Sequence, residues 1–147
     1  MNKPPTGKIF IIDDDPFCQG IYTQCLNNIG YTDINCFDNG QDCLNQLYQE
    51  PEIIFIDYNM QPLNGLETLK KIKRFNPDIY LVLISAQSDM QIAINSLKYG
   101  AFDYIIKAED DIEKIKLVIY KIQQVKKHLD KSQFQKWTSR LFSMFTL

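Results

Sequence analysis

The sequence predicts an α/β fold: a doubly wound, five-stranded parallel sheet in the order 2-1-3-4-5, forming a three-layer sandwich with a C-terminal helical extension. Five short apolar runs alternate with longer segments of helical period, which is typical of repeated strand–helix units. The runs have no polar face, so they fit strands that are buried on both sides. Right-handed crossovers leave few arrangements, and this order is the commonest one at this size.

Each element has local signals in the sequence. Apolar runs predict strands at 8–12, 34–37, 53–56, 79–84 and 102–106. The first helix is predicted to begin at Pro16, with Asp14 or Asp15 as its N-cap, and to end at Gly30.

The other four helices are placed by turn residues and apolar stripes. Helix 2 follows Asn39-Gly40, helix 3 ends before Asn76-Pro77, helix 4 covers 90–99 before Gly100, and helix 5 runs from 110 to about 129. The stripes expected to be buried are Cys43, Leu44, Leu47 and Tyr48 on helix 2, and Leu66, Leu69, Ile72 and Phe75 on helix 3.

Composition supports a folded domain with an uneven charge distribution. Hydrophobic residues make up 45% of the 147-residue chain, enough for a core. From residue 112 onward there are eight basic residues against Glu113 and Asp130, whereas the rest of the chain is acidic and brings the total to -2. An acidic body therefore precedes a basic tail.

The four cysteines are expected to be reduced thiols. Cys18, Cys25, Cys36 and Cys43 form no Cys-x-x-Cys pair, and the single histidine is His128, so a structural zinc site is not expected. In the predicted fold each would be buried singly. Residues 1–12 resemble neither a signal peptide nor a membrane span, so a cytoplasmic protein is expected.

Polar residues follow four of the predicted strands at the point where each strand ends. Asp13-Asp14-Asp15 follow strand 1, Asp57 follows strand 3, Ser85 ends strand 4 and Lys107 ends strand 5. In parallel sheets the carboxyl ends share one edge, where ligands bind at the switch point. We expect these side chains to converge in one crevice.

Such a cluster predicts phosphoryl chemistry assisted by a metal. Close carboxylates repel and raise one another's pKa, and Mg²⁺, which prefers oxygen ligands, relieves the repulsion. Asp57 could then stay ionised and attack phosphorus in line. Lys107 would offer a charge, and Ser85 a hydroxyl, to the phosphoryl oxygens.

These motifs resemble the response-regulator receiver domain of bacterial two-component signalling, a CheY-like or flavodoxin-like fold. The resemblance covers about 8–129, and the order and spacing of four motifs carry it. These are Ile11 to Pro16, Asp57 to Met60 leading to Gly65, Ser85-Ala86, and Asp103 to Lys107. It implies a receiver domain at 1–129 and a basic amphipathic helical extension at 130–147.

The resemblance also implies roles for individual residues. Asp57 would be the phosphoacceptor, beside Mg²⁺ held by Asp13, Asp14, Asp57 and the backbone carbonyl of Asn59. Ser85 would move toward the phosphoryl group and Tyr104 would turn inward, remodelling the surface of helix 4, strand 5 and helix 5. Asn59 and Gln87 would tune the rate of phosphate hydrolysis.

Two positions depart from the family pattern. Gln61 stands where the family usually has proline, with Pro62 after it, and Ala108 replaces the proline that usually follows the lysine. Because a cis peptide costs far more before a residue other than proline, the loop after strand 5 is expected to take the trans path.

Simpler interpretations of single residues stay open. The aspartate run could only cap a helix, Ser85 could be a turn residue, Lys107 a solvated charge, and Tyr104 a half-buried strand aromatic. In the extension, Phe134, Trp137, Leu141 and Phe145 fall at helical spacing. This segment could pack on its own domain as a second helix, continue the last helix, form a dimer or partner contact, or lie on an anionic membrane.

The sequence therefore predicts a phosphorelay response regulator rather than an enzyme with external turnover. The expected partners are a sensor histidine kinase or phosphotransfer protein and a downstream protein target; no direct nucleic-acid contact is expected, and the chain could be a monomer, a homodimer or a fragment of a longer regulator. The alternatives are a pseudo-receiver that binds proteins without phosphorylation and, less favoured, a phosphatase or phosphotransferase, for which no separate general acid is found.

Overall fold

A computed structural model describes residues 3–86 and 89–145. Its strands form one parallel sheet in the order β2-β1-β3-β4-β5, so the predicted fold class is confirmed. The strands are β1 (Ile9–Ile12), β2 (Ile34–Phe37), β3 (Ile53–Asp57), β4 (Tyr80–Ser85) and β5 (Asp103–Ile106). The helices are α1 (Pro16–Ile29), α2 (Gly40–Leu44), α3 (Gly65–Phe75), α4 (Met90–Lys98) and α5 (Asp111–Phe145), with a short 3-10 helix at Leu47–Gln49.

The central strands carry the hydrophobic core. Every residue of β1 and β3 is buried, as is β4 after its first residue. The edge strands β2 and β5 are partly exposed. Helices α2 and α3 close one side through buried Cys43, Leu69 and Ile72, which join the sheet residues in a common cluster. The all-apolar strands thus reflect burial on both faces.

Helix α1 has the predicted ends. Asp15 is the N-cap, and its carboxylate accepts a hydrogen bond of 2.9 Å from the backbone N–H of Phe17. Pro16 occupies the first turn, where its missing N–H costs nothing. Gly30 ends the helix with φ 121°, a backbone conformation that favours glycine.

The apolar stripes predicted for helices 2 and 3 are only partly buried. Helix α2 ends at Leu44 and the tighter 3-10 helix rotates the following residues, so Leu47 is buried but Tyr48 is 72% exposed. Phe75, the last residue of α3, is 62% exposed. The prediction that each cysteine is buried is also wrong: Cys25 and Cys43 are buried, Cys18 is half-buried and Cys36 is exposed on the edge strand β2. All four thiols are free.

The chain divides into two compact units, Met1–Lys116 and Leu117–Leu147. Helix α5 begins in the first unit, and the described part of the second unit is the remainder of this helix, through Phe145. The extension therefore continues the last helix past residue 129 and does not form a separate second helix. A dimer, partner or membrane contact of this helix stays a prediction. Within the described ranges, no helix is long and apolar enough to span a membrane.

Candidate functional site

The acidic residues meet because β1 and β3 are neighbours in the sheet. Ile12 is paired with Ile56, so Asp13 and Asp57 lie one residue further along adjacent strands. Carboxylate oxygens of Asp13, Asp14 and Asp57 all lie within 4.8 Å of one another. The expected convergence is confirmed for these three acids.

Asp13 is buried and held on every side. Its N–H donates to the carbonyl of Phe37 at 3.0 Å, and its carboxylate accepts from the N–H of Asp15 at 2.9 Å. The second carboxylate oxygen of Asp13 lies 3.2 Å from Lys107 Nζ. The backbone carbonyl of Asp13 accepts a hydrogen bond of 2.6 Å from Gln19 Nε2. Asp13 therefore has a fixed position in the acidic rim, the edge of the sheet where Asp13, Asp14, Asp57 and Lys107 meet. The helix-capping role belongs to Asp15.

Lys107 connects the two buried carboxylates. Its Nζ lies 3.2 Å from Asp13 and 3.3 Å from Asp57. Burial works against its charge, but the carboxylates of Asp57 and Asp13 outweigh it and raise the pKa of Lys107 above its usual value. Its backbone N–H also donates to the Ser85 carbonyl at 2.8 Å, which ties the ends of β5 and β4 together. Lys107 is not a freely solvated charge.

The surroundings of Asp57 favour its neutral form. Its residue is only 5% exposed, and burial raises its pKa to about 6; Lys107 opposes this rise, while Asp13 and Asp14 add to it. Three carboxylates facing one ammonium leave an excess of negative charge when all are ionised. A hard cation with oxygen ligands fits this donor set.

The remaining predicted site residues lie at or near the same rim. Ser85 is fully buried at the end of β4, one residue beyond the register partner of Asp57. Tyr104 on β5 is half-buried and packs against the core, and Asn59 lies two residues after Asp57 in the following loop. Gln87 lies outside the described residues. The roles assigned to these side chains stay predictions.

The two departures from the family pattern have different outcomes in the backbone. Among the described residues the single cis peptide bond is Gln61–Pro62. The Lys107–Ala108 bond is trans, as expected for a bond that does not precede proline. Lys107 still reaches both acids with Ala108 after it.

Gln19 also contributes to the geometry of the site, and the sequence did not indicate this. Its amide nitrogen contacts the loop after β1 and the loop after β2, at Asp13 and Asp38. A glutamine in the first turns of an amphipathic helix carries no sequence signal for such a bridge.

Gly65 is required next to Asp57, and replacing it is expected to disturb the site. A Cβ at this position would lie 2.5 Å from the Asp57 carbonyl oxygen and 2.7 Å from Tyr58 Cα, both in the backbone. We expect Gly65→Ala to lower the free energy of unfolding by about 1–3 kcal/mol, in the range of overpacking. Urea denaturation would measure it.

Gly20→Ala is the matched control, since a Cβ on this exposed residue of α1 would meet nothing within 4 Å. There the higher helix propensity of alanine should stabilise the protein by about 0.5–1 kcal/mol. Equal effects of the two substitutions would contradict the close contact at Gly65.

A family model described as the response regulator receiver domain matches residues 9–119. The chain belongs to this family and so to the receiver domains of two-component signalling.

Curated relatives share the domain but are much longer. The DNA-binding transcriptional regulator NtrC of Escherichia coli (strain K12) is 32% identical over 113 residues, 76% of this chain and 24% of the relative. A protein-glutamate methylesterase/protein-glutamine glutaminase of Clostridium acetobutylicum is 34% identical over 114 residues, 75% of this chain and 33% of the relative. The chain thus spans about a quarter to a third of the length of these relatives.

Solved structures share the fold. A response regulator receiver domain protein from Clostridium thermocellum has a TM-score of 0.76 at 23% identity, covering 84% of this chain and 99% of that one. A chain of the CheX-CheY-BeF3-Mg²⁺ complex from Borrelia burgdorferi has a TM-score of 0.73 at 24% identity, covering 79% and 88%.

Proposed function

We propose that Asp57 accepts a phosphoryl group from a histidine kinase or phosphotransfer protein. One observation carries this proposal: the buried Asp57 carboxylate lies in a group with oxygens of Asp13 and Asp14, all within 4.8 Å of one another, and Lys107 Nζ lies 3.3 Å from it. An acid, two further acids and an ammonium in this arrangement suit attack on phosphorus better than a structural ion pair, which would need only one acid.

Mg²⁺ is the cofactor that the donor set fits. Asp13, Asp14 and Asp57 would hold it, with the backbone carbonyl of Asn59 as a further ligand. When bound, the ion would neutralise the excess negative charge and draw a phosphoryl oxygen toward the carboxylates. The Borrelia complex with BeF3 and Mg²⁺ supports testing the same ion.

Each residue of the site has a separate role in the transfer of the phosphoryl group. An oxygen of Asp57 forms the new P–O bond, and the bond from phosphorus to the donor breaks with its electron pair leaving on the donor. Lys107 donates hydrogen bonds from its ammonium to the phosphoryl oxygens, and Ser85 offers its hydroxyl. The product is an acyl phosphate on Asp57. Asn59 and Gln87 would tune the rate at which water removes it.

The output is proposed to be a protein contact. Tyr104 lies on β5, beside α4, and both elements expose apolar side chains: Met90, Ile94, Leu97 and Ile106. Exposed apolar surface of this kind marks interaction sites. Movement of Ser85 toward the phosphoryl group, followed by Tyr104, would change this surface. The DNA-binding activity named for NtrC is that relative's own, and the match covers 24% of its length. From the exposed apolar side chains of α4 and β5 we infer a protein target for this chain.

Intact-mass measurement after incubation with acetyl phosphate and Mg²⁺ tests the proposal. The wild type is expected to gain one phosphoryl group, and the gain should vanish with EDTA or in Asp57→Asn. Asp33→Asn, which changes an exposed acid paired with Lys8, should behave like the wild type. No adduct on a folded wild type would favour a protein-binding module that works without phosphorylation. Sustained turnover of a phosphate ester would indicate an enzyme instead.

A further inference from the structure

Gln19 joins the two loops at the acidic rim through a single amide nitrogen. Its Nε2 lies 2.6 Å from the Asp13 carbonyl oxygen and 3.0 Å from Asp38 Oδ1, with the Phe37 carbonyl at 3.4 Å. All three neighbours are acceptors, so the nitrogen rather than the oxygen of the amide must face them. The two shorter contacts use its two hydrogens.

The bond to the Asp13 carbonyl acts on the next residue. This carbonyl belongs to the peptide group that joins Asp13 to Asp14, and its plane sets the direction in which Asp14 leaves the strand. The Asp14 side chain is exposed, and no hydrogen bond of its carboxylate is found within residues 3–86 and 89–145. The position of this carboxylate therefore depends on the backbone that carries it.

We propose that Gln19 is a positioning residue for the metal site, which fixes the Asp13–Asp14 peptide so that the Asp14 carboxylate faces the cation, and that Asp38 anchors the Gln19 amide. The inference rests on the proposed function, since it concerns the same cation. Partners that orient metal ligands without touching the metal commonly change its affinity by about 10-fold or more. A glutamine that only fastened α1 to β2 would leave that affinity unchanged.

Calorimetric titration of the metal-free protein with MgCl₂ tests this role without any phosphodonor. Gln19→Met keeps the length of the side chain but removes both donors, and it should weaken Mg²⁺ binding about 10-fold. Gln19→Lys retains donors and should recover most of the affinity. Gln24→Met is the matched control, because Gln24 lies on the same helix and bonds only Asn28 among the described residues.

Asp38→Ala provides a second route, since Asp38 is exposed and its removal should not prevent folding. It should weaken Mg²⁺ binding in the same direction, and adding it to Gln19→Met should have little further effect. Unchanged Mg²⁺ affinity in both Gln19→Met and Asp38→Ala would overturn the positioning role while leaving the phosphoacceptor proposal intact. A wild type that binds no Mg²⁺ would instead overturn the metal site itself.

Discussion

Asp57→Asn is expected to make the metal-free protein more stable by about 2–3 kcal/mol near pH 7.5, although it removes the proposed phosphoacceptor. Burial, opposed by Lys107 and aided by Asp13 and Asp14, raises the pKa of Asp57 to about 6 from its ordinary value of 3.8. At neutral pH the folded protein therefore holds an ionised carboxylate in surroundings that favour the neutral acid. Asparagine has a similar shape and no charge, so it avoids this cost.

The pH dependence has a definite sign. Between about pH 4 and pH 6 the folded state binds more protons at Asp57 than the unfolded state, so the contribution of Asp57 to stability falls as the pH rises through this window. Above it the contribution stays low. The advantage of Asp57→Asn should therefore be small near pH 4, grow toward pH 6 and then level off.

Urea denaturation in EDTA, repeated across this pH range, measures the difference. Asp33→Asn serves as the control, because this exposed partner of Lys8 should show no comparable gain. Saturating Mg²⁺ should narrow the gap, since a ligand at 100 times its dissociation constant stabilises the protein that binds it by about 2.7 kcal/mol. If Asp57→Asn is less stable than the wild type at pH 7.5 in EDTA, the ionised Asp57 carboxylate does not destabilise the folded protein, and this prediction is contradicted.

Lys107→Met is expected to have the opposite effect on stability and a large effect on phosphorylation. Its ammonium lies 3.2 Å from Asp13 and 3.3 Å from Asp57, and both acids are buried. Removing one member of a buried ion pair commonly costs about 3–5 kcal/mol; we expect about 3, because protonation of Asp57 can relieve part of the repulsion. Mg²⁺ should restore part of the lost stability.

The same substitution should slow acceptance of phosphoryl from acetyl phosphate about 100-fold, as is typical when a donor to developing negative charge is removed. The rate is measured by intact mass against time, at Mg²⁺ concentrations that saturate each protein. Lys114→Met is the matched control, since Lys114 makes a surface pair with Asp110 that should contribute less than about 1 kcal/mol. Equal rates for Lys107→Met and the wild type would exclude Lys107 from the phosphoryl site.

Sheet order and the meeting of Asp13, Asp57 and Lys107 could be predicted from the sequence. Five all-apolar runs allow few parallel arrangements, and the carboxyl ends of their strands must share one edge. The continuation of α5 past residue 129 also has a sequence basis, because no glycine or proline interrupts residues 111–145.

Other features depend on packing that a linear pattern does not encode. The prediction of a buried stripe on helix 2 required one regular helix, but α2 ends at Leu44 and Tyr48 is exposed. The bridge from Gln19 needs Asp13 and Asp38 on separate loops, six and 19 residues away, to converge on one amide. Such contacts arise only once the sheet is assembled.

Locating the phosphoryl group on the chain shows whether Asp57 is the phosphoacceptor. After incubation with acetyl phosphate and Mg²⁺, borohydride reduces an aspartyl phosphate to homoserine, and cleavage after glutamate releases residues 53–67, in which Asp57 is the single aspartate. We expect homoserine at position 57 of the wild type and none in a sample kept in EDTA. Modification at Asp13, Asp14 or His128 instead, or none at Asp57 in folded protein, would contradict it.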